Sequence, residues 1–452
     1  MQKERIKNLN SRKIREGKFI LYWMQSSQRE QYNHALEHSI ELSNRLNLPL
    51  IVYFGLTSDF PEANRRHYYF MIEGLKEVKS TLKKRGINLV ILNESPEIGA
   101  SKLGADASLI VVDRGYLKIE RTWRDYVAKN VNCPLIQVES NVVVPVETVT
   151  QKEEYSAATL RRKLNKILDD FLIPLKSGSL KNNRIEHDLE SLDMNDIDSL
   201  IKNLKVDESV PEVVFYKGGT SEALKHLKVF LKNKIDLFPD LRNDPTQDYL
   251  SHMSPYLHFG QISPLYIALE AIKTDSPGID SFLEELIVRR ELSMNYVYYN
   301  PHYDSLEGLP EWPRKTLREH EADKREYIYS LEELENAKTH DPYWNAAQKE
   351  MIVRGKMHGY MRMYWGKKIL EWTENPSEAF KIAIYLNNKY EIDGRDANGY
   401  TGVAWCFGKH DRAWKEREIF GKVRYMNANG LRRKFKIDNY VEEIEEIEKL
   451  EG

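Results

Sequence analysis

The feature that most constrains the fold of this chain is a change of pattern near residue 150. Before it, helical stretches alternate with short apolar runs, and from Gly218 to about Tyr440 the pattern is helical and punctuated by proline and glycine. Uninterrupted apolar runs suit strands buried on both faces, so the alternation predicts a doubly wound, Rossmann-like parallel sheet. The fold class is therefore α/β, with an all-helical domain after the sheet. The runs are FILYW at 19–23, LIVYF at 50–54, LVIL at 89–92, LIVVD at 109–113 and PLIQVE at 134–139.

The same pattern divides the chain into four parts. Residues 1–17 hold six basic side chains and no apolar run, which predicts a solvated basic arm. Residues 18–149 form the α/β domain, residues 150–214 a polar connector that is partly helical at 156–173, and residues 215–452 the helical domain. No GxGxxG or Walker A pattern follows a strand, so ordinary dinucleotide or P-loop binding is disfavoured.

Composition excludes several classes of protein. Two cysteines in 452 residues are too few for a disulfide scaffold or a cysteine-rich zinc site, and they predict a reducing, cytoplasmic setting. No apolar stretch approaches the length of a membrane span. The net charge of −2 says nothing about partners by itself. We expect a monomer with no membrane association and no metal.

Two segments of the helical domain favour a bound ligand. Ser251 and Ser254 precede a proline-started helix, which suits either a helix cap or a phosphate site, and spacing alone does not decide between them. The loop 386–400 concentrates carboxylates and amides before Trp405. A calcium loop competes, but it requires a terminal bidentate Glu that is missing here. A planar heterocycle fits better, because amides can bond its ring nitrogens while Trp405 stacks on it.

A third segment, from 405 to 435, carries nine basic residues against three acidic ones, with aromatic residues between them. Such a run is either a solvated face or a nucleic-acid site, and the aromatic content favours the second.

A fourth segment, 340–372, holds Trp344, Trp365 and Trp372. Trp365 and Trp372 are two helical turns apart and share a face, which suits an aromatic core or a relay of oxidisable rings.

Several long motifs follow one another along the chain. They are YWMQSSQR at 22–29, SPYLHFGQIS at 254–263, RRELSMNYVYYNP at 289–301, KTHDPYWNAAQ at 338–348, GKMHGYMRMYWGKKILEW at 355–372, YEIDGRDANGYTGVAW at 390–405 and HDRAWKEREIFGKVRYM at 410–426. In this order they resemble the class II cyclobutane pyrimidine dimer (CPD) photolyases of the photolyase/cryptochrome family, from about residue 18 to 436. This resemblance implies an antenna-type α/β domain and a helical domain that binds FAD as FADH⁻. The implied activity is light-driven splitting of CPDs in UV-damaged DNA, single- or double-stranded, after the lesion flips out of the helix.

The resemblance also implies roles for single residues. For FAD, it implies phosphate contacts from Ser251, Met253 and Ser254, a contact of Asn387 with the flavin N5, and a pair, Arg362 and Asp393, at the edge of the ring. For the lesion, it implies that Glu285 bonds the carbonyl edge and that Trp405 lines the pocket. Asp411, Arg412 and Trp414 resemble the element that fills the hole left by the flipped dimer, and Arg242 and Arg424 are candidates for lesion phosphates. Trp344, Trp365 and Trp372 match the chain that photoreduces oxidised FAD, in an order that the resemblance does not assign.

The chain departs from the family pattern at two places. Arg289-Arg290 stands where some relatives have an aromatic residue and Lys, and His252 where Asn is also known. The antenna pigment is expected to be a deazaflavin (8-HDF), bound between Met24 and Tyr69. A cryptochrome-like light sensor is one alternative; the chain ends about sixteen residues after the resemblance stops, near residue 436, so we expect no signalling tail. A non-catalytic nucleic-acid-binding module and a (6-4) lesion photolyase are the others.

Overall fold

The computed structural model describes residues 1–184 and 189–451, and in these the α/β half holds a six-stranded sheet in the order β1-β6-β5-β2-β3-β4. All neighbours pair in parallel except β1 and β6, which are antiparallel. Apolar side chains cover both faces of the sheet, as the uninterrupted runs predict. The strands are β1 Ile6–Asn8, β2 Phe19–Trp23, β3 Leu50–Gly55, β4 Asn88–Leu92, β5 Ala107–Asp113 and β6 Leu135–Val138.

Helices connect these strands by crossovers on both faces of the sheet, which confirms the predicted fold class. The order reverses at β2, which has β3 on one side and β5 on the other, so ligands are expected beyond the carboxyl ends of β2 and β5. The helices of this half are α1 His34–Leu46, α2 Arg65–Lys84, α3 Pro96–Gly104, α4 Lys118–Asn130 and α5 Val146–Val149.

The prediction of a solvated arm at residues 1–17 is wrong for its first part. Ile6–Asn8 forms the edge strand β1, and Arg5 is buried. The guanidinium of Arg5 donates to the carbonyl oxygens of Val142 and Val143, at 3.2 and 2.6 Å. The basic residue is therefore a structural anchor, because its donors satisfy backbone carbonyl groups after β6.

The connector is better ordered than its composition predicts. It holds α6 Ala157–Leu164, a 3₁₀ turn at Leu168–Asp170, and α7 Ile197–Leu204, whose apolar side chains pack with the sheet's core. The helix predicted at 156–173 is thus shorter than expected. Residues 185–188 of the connector lie outside the described residues.

The remaining chain is helical, with a core that contains all three tryptophans of 340–372. Glu284–Arg289 forms a π-helical turn between α12 and α13. In the described chain, no helix is long and apolar enough to cross a membrane. The helices are α8 Thr220–Asn233, α9 Phe238–Leu241, α10 Ser254–His258, α11 Pro264–Ile272, α12 Ile279–Leu283, α13 Arg290–Tyr299, α14 Glu311–Glu319, α15 Leu331–Glu335, α16 Pro342–Arg354, α17 Gly359–Trp372, α18 Pro376–Tyr390, α19 Ala397–Cys406, α20 Ala428–Lys434 and α21 Ile437–Glu451.

Candidate active site

The helical half encloses a cavity of about 650 Å³, called the large cavity below. Its walls come from the turn before α10, the π-helical turn, the start of α17, the loop after α18, and α19. The structure brings together many of the residues singled out in the sequence, while others lie outside the lining. Those that line the cavity are Arg242, Ser251, Met253, Ser254, Glu285, Arg362, Asp393, Trp405 and Arg424. Those outside its lining are Asn387, Trp344, Trp365, Trp372, Asp411, Arg412 and Trp414.

An ion-pair cluster forms one wall of the large cavity. The Nη2 atom of Arg362 lies 2.7 Å from a carboxylate oxygen of Glu391 and 2.9 Å from one of Asp393. Burial would raise the pKa of Asp393, but the charges of Arg362 and Lys356 outweigh it and lower that pKa to about 2. At Glu391 burial dominates and raises the pKa to about 8. Near neutral pH the cluster therefore holds one ionised carboxylate and one carboxyl group that titrates.

Hydroxyl groups and an amine face the cavity next to this cluster. Ser251 and Ser254 flank a sharp turn in which His252 has a φ of +57°. The Ser254 hydroxyl is buried beside the Asp393 carboxylate, whose pKa it helps to lower. Lys356 lines the same wall, burial lowers its pKa, and it forms no ion pair within 1–184 and 189–451. A phosphate group would satisfy both the hydroxyl and the amine.

Asn387 lies behind the wall of the large cavity. It is buried near the end of α18, and its side-chain amide donates to the Asn388 side-chain oxygen at 3.2 Å. A Cβ atom on Gly399 would come within 2.9 Å of the Asn387 amide nitrogen, so a larger residue there would collide with it. The contact of Asn387 with a flavin ring stays a prediction.

Arginine and carboxylate side chains form the opposite wall. Glu285 lies in the π-helical turn, and its Oε1 atom is 2.6 Å from the Nη1 atom of Arg242. The guanidinium carbon of Arg289 lies 5.2 Å from the centre of the Trp405 ring, in a cation–π contact. π-Helical turns are frequent at functional sites, and here the turn brings both Glu285 and Arg289 to the cavity.

The rim of the large cavity carries an exposed aromatic and basic cluster. Trp414 is 40% exposed, and the guanidinium carbons of Arg412 and Arg424 each lie 5.2 Å from its ring centre. Its indole N–H faces the carboxylate of Asp411 at 3.3 Å. Arg424 also lines the cavity, so the cluster leads into it. Aromatic rings between arginines are suited to stacking on unpaired bases beside phosphates.

The three tryptophans form a buried group on α16 and α17. The rings of Trp344 and Trp372 are 5.7 Å apart between centres. The indole N–H of Trp344 donates to the backbone carbonyl oxygen of Trp365 at 3.0 Å, and that of Trp365 donates to Gln348 at 2.8 Å. The group is therefore a packed core in which two of the three rings are in contact, so packing and electron transfer are compatible.

A smaller cavity of about 160 Å³, called the small cavity below, lies beyond the carboxyl ends of β2 and β5. Met24, Gln25, Tyr68 and Trp123 line it, and the buried side-chain amide of Gln25 has no hydrogen-bond partner in the part of the chain that the structure describes. This is the place where the reversal of strand order predicts a ligand. Leu257, Arg290 and Asp396 line both cavities and so form the wall between them.

Sequence reasoning left out three residues that line or support the large cavity. Glu391 stands two positions before Asp393, in the loop 386–400. Its position in that carboxylate-rich loop could have identified it as a candidate site residue. Lys356 lies inside the motif at 355–372, and Arg289 stands out as a departure from the family pattern, but neither position indicates a role. Only the structure shows that Lys356 faces the cavity, with no ion pair to the described residues, and that Arg289 lies over Trp405.

Comparison with known proteins identifies close relatives. The DNA photolyase family model matches residues 20–180. The chain is 56% identical over 445 residues to the deoxyribodipyrimidine photo-lyase of Methanothermobacter thermautotrophicus, covering 98% of each chain. It is 44% identical to the protein of that name from Arabidopsis thaliana, covering 95% of this chain and 89% of the relative. The Potorous tridactylus protein of that name is 41% identical, over 95% of this chain and 82% of the relative.

Solved structures support the fold. A bacterial class III photolyase from Agrobacterium tumefaciens superposes with a TM-score of 0.73 at 17% identity, covering 97% of this chain and 88% of that one. The archaeal photolyase from Sulfolobus tokodaii, solved with two FAD molecules, gives a TM-score of 0.71 at 18% identity, covering 94% and 89%. At these identities the likeness confirms the α/β plus helical architecture and nothing more.

Proposed function

This chain belongs to the DNA photolyase family, and we therefore propose that it is a deoxyribodipyrimidine photo-lyase that uses light to split cyclobutane pyrimidine dimers in UV-damaged DNA. The observation that carries the proposal is the 56% identity, over 98% of both chains, to a relative of that name. The motifs quoted above support its placement in class II. A monomeric state and a cytoplasmic location, or a nucleoid one if the source is prokaryotic, belong to the same proposal.

We propose FAD as the cofactor of the large cavity. Its volume of about 650 Å³ falls within the range of roughly 300–1,000 Å³ typical of ligand sites. Lys356 and the hydroxyls of Ser251 and Ser254 would hold the phosphates, and Arg362 with Asp393 would flank the ring. The presence of two hydroxyl groups and a buried amine in one cavity lining supports this fit. When bound and fully reduced, FAD supplies the light-driven electron that opens the cyclobutane ring and afterwards receives it back.

The protein's own residues would then bind and position the DNA. Arg412, Trp414 and Arg424 at the rim would hold the strand and fill the gap that the extruded dimer leaves. Trp405 would stack on the dimer, and Arg242 and Glu285 would contact it from the opposite wall. Extrusion costs less at a dimer than at normal bases, because damage already weakens stacking and pairing, and this difference supports selectivity.

The three tryptophans and the small cavity would support the cofactor. Trp344, Trp365 and Trp372 would conduct electrons to oxidised FAD, since all three lie in one buried core, the rings of Trp344 and Trp372 are 5.7 Å apart, and Trp344 hydrogen-bonds the backbone of Trp365. The small cavity would hold a deazaflavin antenna. Because its volume of about 160 Å³ is below the usual range for ligand sites, the lining side chains would have to move to admit a tricyclic pigment.

The test is light-dependent removal of dimers from UV-irradiated plasmid. The purified protein is reduced chemically, mixed with the plasmid, and kept in blue light or in the dark. A dimer-specific endonuclease then reports the remaining lesions by nicking. The proposal predicts loss of nicks in the light only. If the protein retains FAD and nicking is equal in light and dark, the repair function is overturned. A light sensor is then the remaining alternative.

A further inference from the structure

We propose that Arg289 binds the lesion directly, by donating hydrogen bonds from its guanidinium group to the carbonyl oxygens of the extruded dimer. The inference rests on the proposed function and deepens it. It assigns a substrate contact to a residue at which the family pattern does not predict an arginine.

The first observation is that Arg289 presents its terminal N–H groups to the large cavity. It lines the cavity, and its side chain is 35% exposed. Its Nε atom is buried and forms long ion pairs with Glu284 and Glu285, at 3.4 and 3.8 Å. A guanidinium has five N–H donors, so those on the two terminal nitrogens can serve a ligand in the cavity that accepts hydrogen bonds.

The second observation is that other arginines already pair with both neighbouring carboxylates. Arg161 makes two hydrogen bonds to Glu284, at 2.8 and 2.6 Å. Arg242 pairs with Glu285 at 2.6 Å. Three guanidinium groups against two carboxylates leave one positive charge on this wall, and Arg289 has the longest ion-pair distances of the three, at 3.4 and 3.8 Å. The ion pair with Arg242 would also have to open before Glu285 could donate to a carbonyl oxygen, whereas Arg289 is ready to donate.

The third observation is that Trp405 holds Arg289 in place. The guanidinium carbon lies 5.2 Å from the ring centre, so the planar group is oriented before any ligand arrives. Each ring of a pyrimidine dimer carries two carbonyl oxygens, and the cyclobutane link fixes the two rings beside each other. A planar fork of N–H groups suits such paired acceptors better than an ammonium group does. Undamaged bases stay in the helix and do not reach Arg289, so the contact adds affinity for damaged DNA alone.

The test measures dark binding of the FAD-loaded protein to a labelled oligonucleotide with one thymine dimer and to its undamaged counterpart. Arg289→Met keeps a long apolar stem over Trp405 and removes the donors. We expect its preference for the dimer to fall about tenfold or more, with binding to undamaged DNA within about twofold of the wild type. Arg162→Met, at an exposed position of α6, is the matched control and should behave as the wild type. If Arg289→Met fails to retain flavin, Arg289→Leu, which also lacks donors, replaces it with the same expected loss.

Two outcomes would overturn the inference. Arg289→Met with an unchanged preference would reduce Arg289 to a packing partner of Trp405. An equal loss for damaged and undamaged DNA would make it a general backbone contact. If the wild type itself shows no preference for the dimer, the proposed function fails, and that result is distinct from a failure at Arg289 alone.

Discussion

At the scale of single residues, the shared guanidinium of Arg362 sets the charge on one wall of the large cavity. It contacts Glu391 and Asp393, whose pKa values move in opposite directions because burial dominates at one and the cations dominate at the other. The ionised Asp393 fixes the orientation of Arg362. Glu391 also accepts a hydrogen bond from the backbone N–H of Met357 at 3.1 Å, so it ties the start of α17 to the loop after α18.

Glu391 should make the stability of the protein depend on pH. Its pKa is about 8 in the folded protein and near 4.5 in the unfolded chain. Between these values the unfolded chain releases a proton that the folded protein keeps, so the free energy of unfolding falls as pH rises. Glu391→Gln should flatten this slope in thermal unfolding of the apoprotein between about pH 5 and pH 8. Glu442→Gln, an exposed control, should keep the wild-type slope, and equal slopes in all three proteins would contradict the burial argument.

Lys356 should contribute to cofactor affinity. Lys356→Met removes an amine that faces the cavity and pairs with no carboxylate among the described residues, so the expected result is about tenfold weaker FAD binding to apoprotein, measured by calorimetry. Lys381→Met, exposed on α18, serves as the control. An affinity equal to that of the wild type would show that the phosphates lie elsewhere.

Residue positions could be predicted where a motif brings partners together along a local segment. Ser251, Ser254, Asp393 and Trp405 line the large cavity as the motifs suggest. The hydrogen bond from Asn387 to its neighbour Asn388 depends on the side-chain rotamers. The ion pair of Glu285 with Arg242 joins residues that are distant in sequence. Neither contact follows from a local sequence pattern, so both required the structure.

At the scale of elements, apolar runs located the strands because burial on both faces leaves a clear signal. FILYW coincides with β2, Phe19–Trp23. β1 was missed because it is a three-residue edge strand, half exposed, that exists only through pairing with β6. The π-helical turn Glu284–Arg289 was missed for a similar reason, since it depends on a shift of backbone bonding within an ordinary helical pattern.

Helices α16 and α17 should conduct electrons to the cofactor as well as pack the core of the helical half. Trp365→Phe should block photoreduction of oxidised FAD while repair by chemically reduced protein continues, because phenylalanine is far harder to oxidise. The change also leaves the Gln348 side-chain oxygen without its donor, at a cost of about 1–3 kcal/mol in stability. Transient absorption and a repair assay separate the two effects. Trp312→Phe is the control, and loss of both activities in Trp365→Phe alone would indicate a packing defect.

At the scale of the whole molecule, the α/β half helps to build the cavity in the helical half. Arg66 on α2 is buried and donates to the carbonyl oxygens of Met351 and Tyr390, at 3.1 and 2.7 Å. His67 contacts the carbonyl oxygen of Glu391 at 3.1 Å. The loop that carries Glu391 and Asp393 is thus held from the other half of the chain.

Arg66 should therefore affect cofactor binding from outside the cavity. Arg66→Met leaves backbone carbonyl groups unsatisfied, and we expect both a lower melting temperature and several-fold weaker FAD binding. Arg65→Met, whose partners are exposed carboxylates, should change FAD binding little. Unchanged FAD affinity in Arg66→Met would show that the helical half forms its cavity without help.

The most direct measurement of the central claim uses one defined lesion. Chemically reduced protein and an oligonucleotide with a single thymine dimer are illuminated, and ultraviolet absorbance reports the return of intact thymines. A parallel sample carries a (6-4) lesion in the same sequence. The account predicts recovery of absorbance for the dimer in the light, none in the dark, and none for the (6-4) lesion. An illuminated, fully reduced protein that binds the dimer and restores no thymine would contradict it.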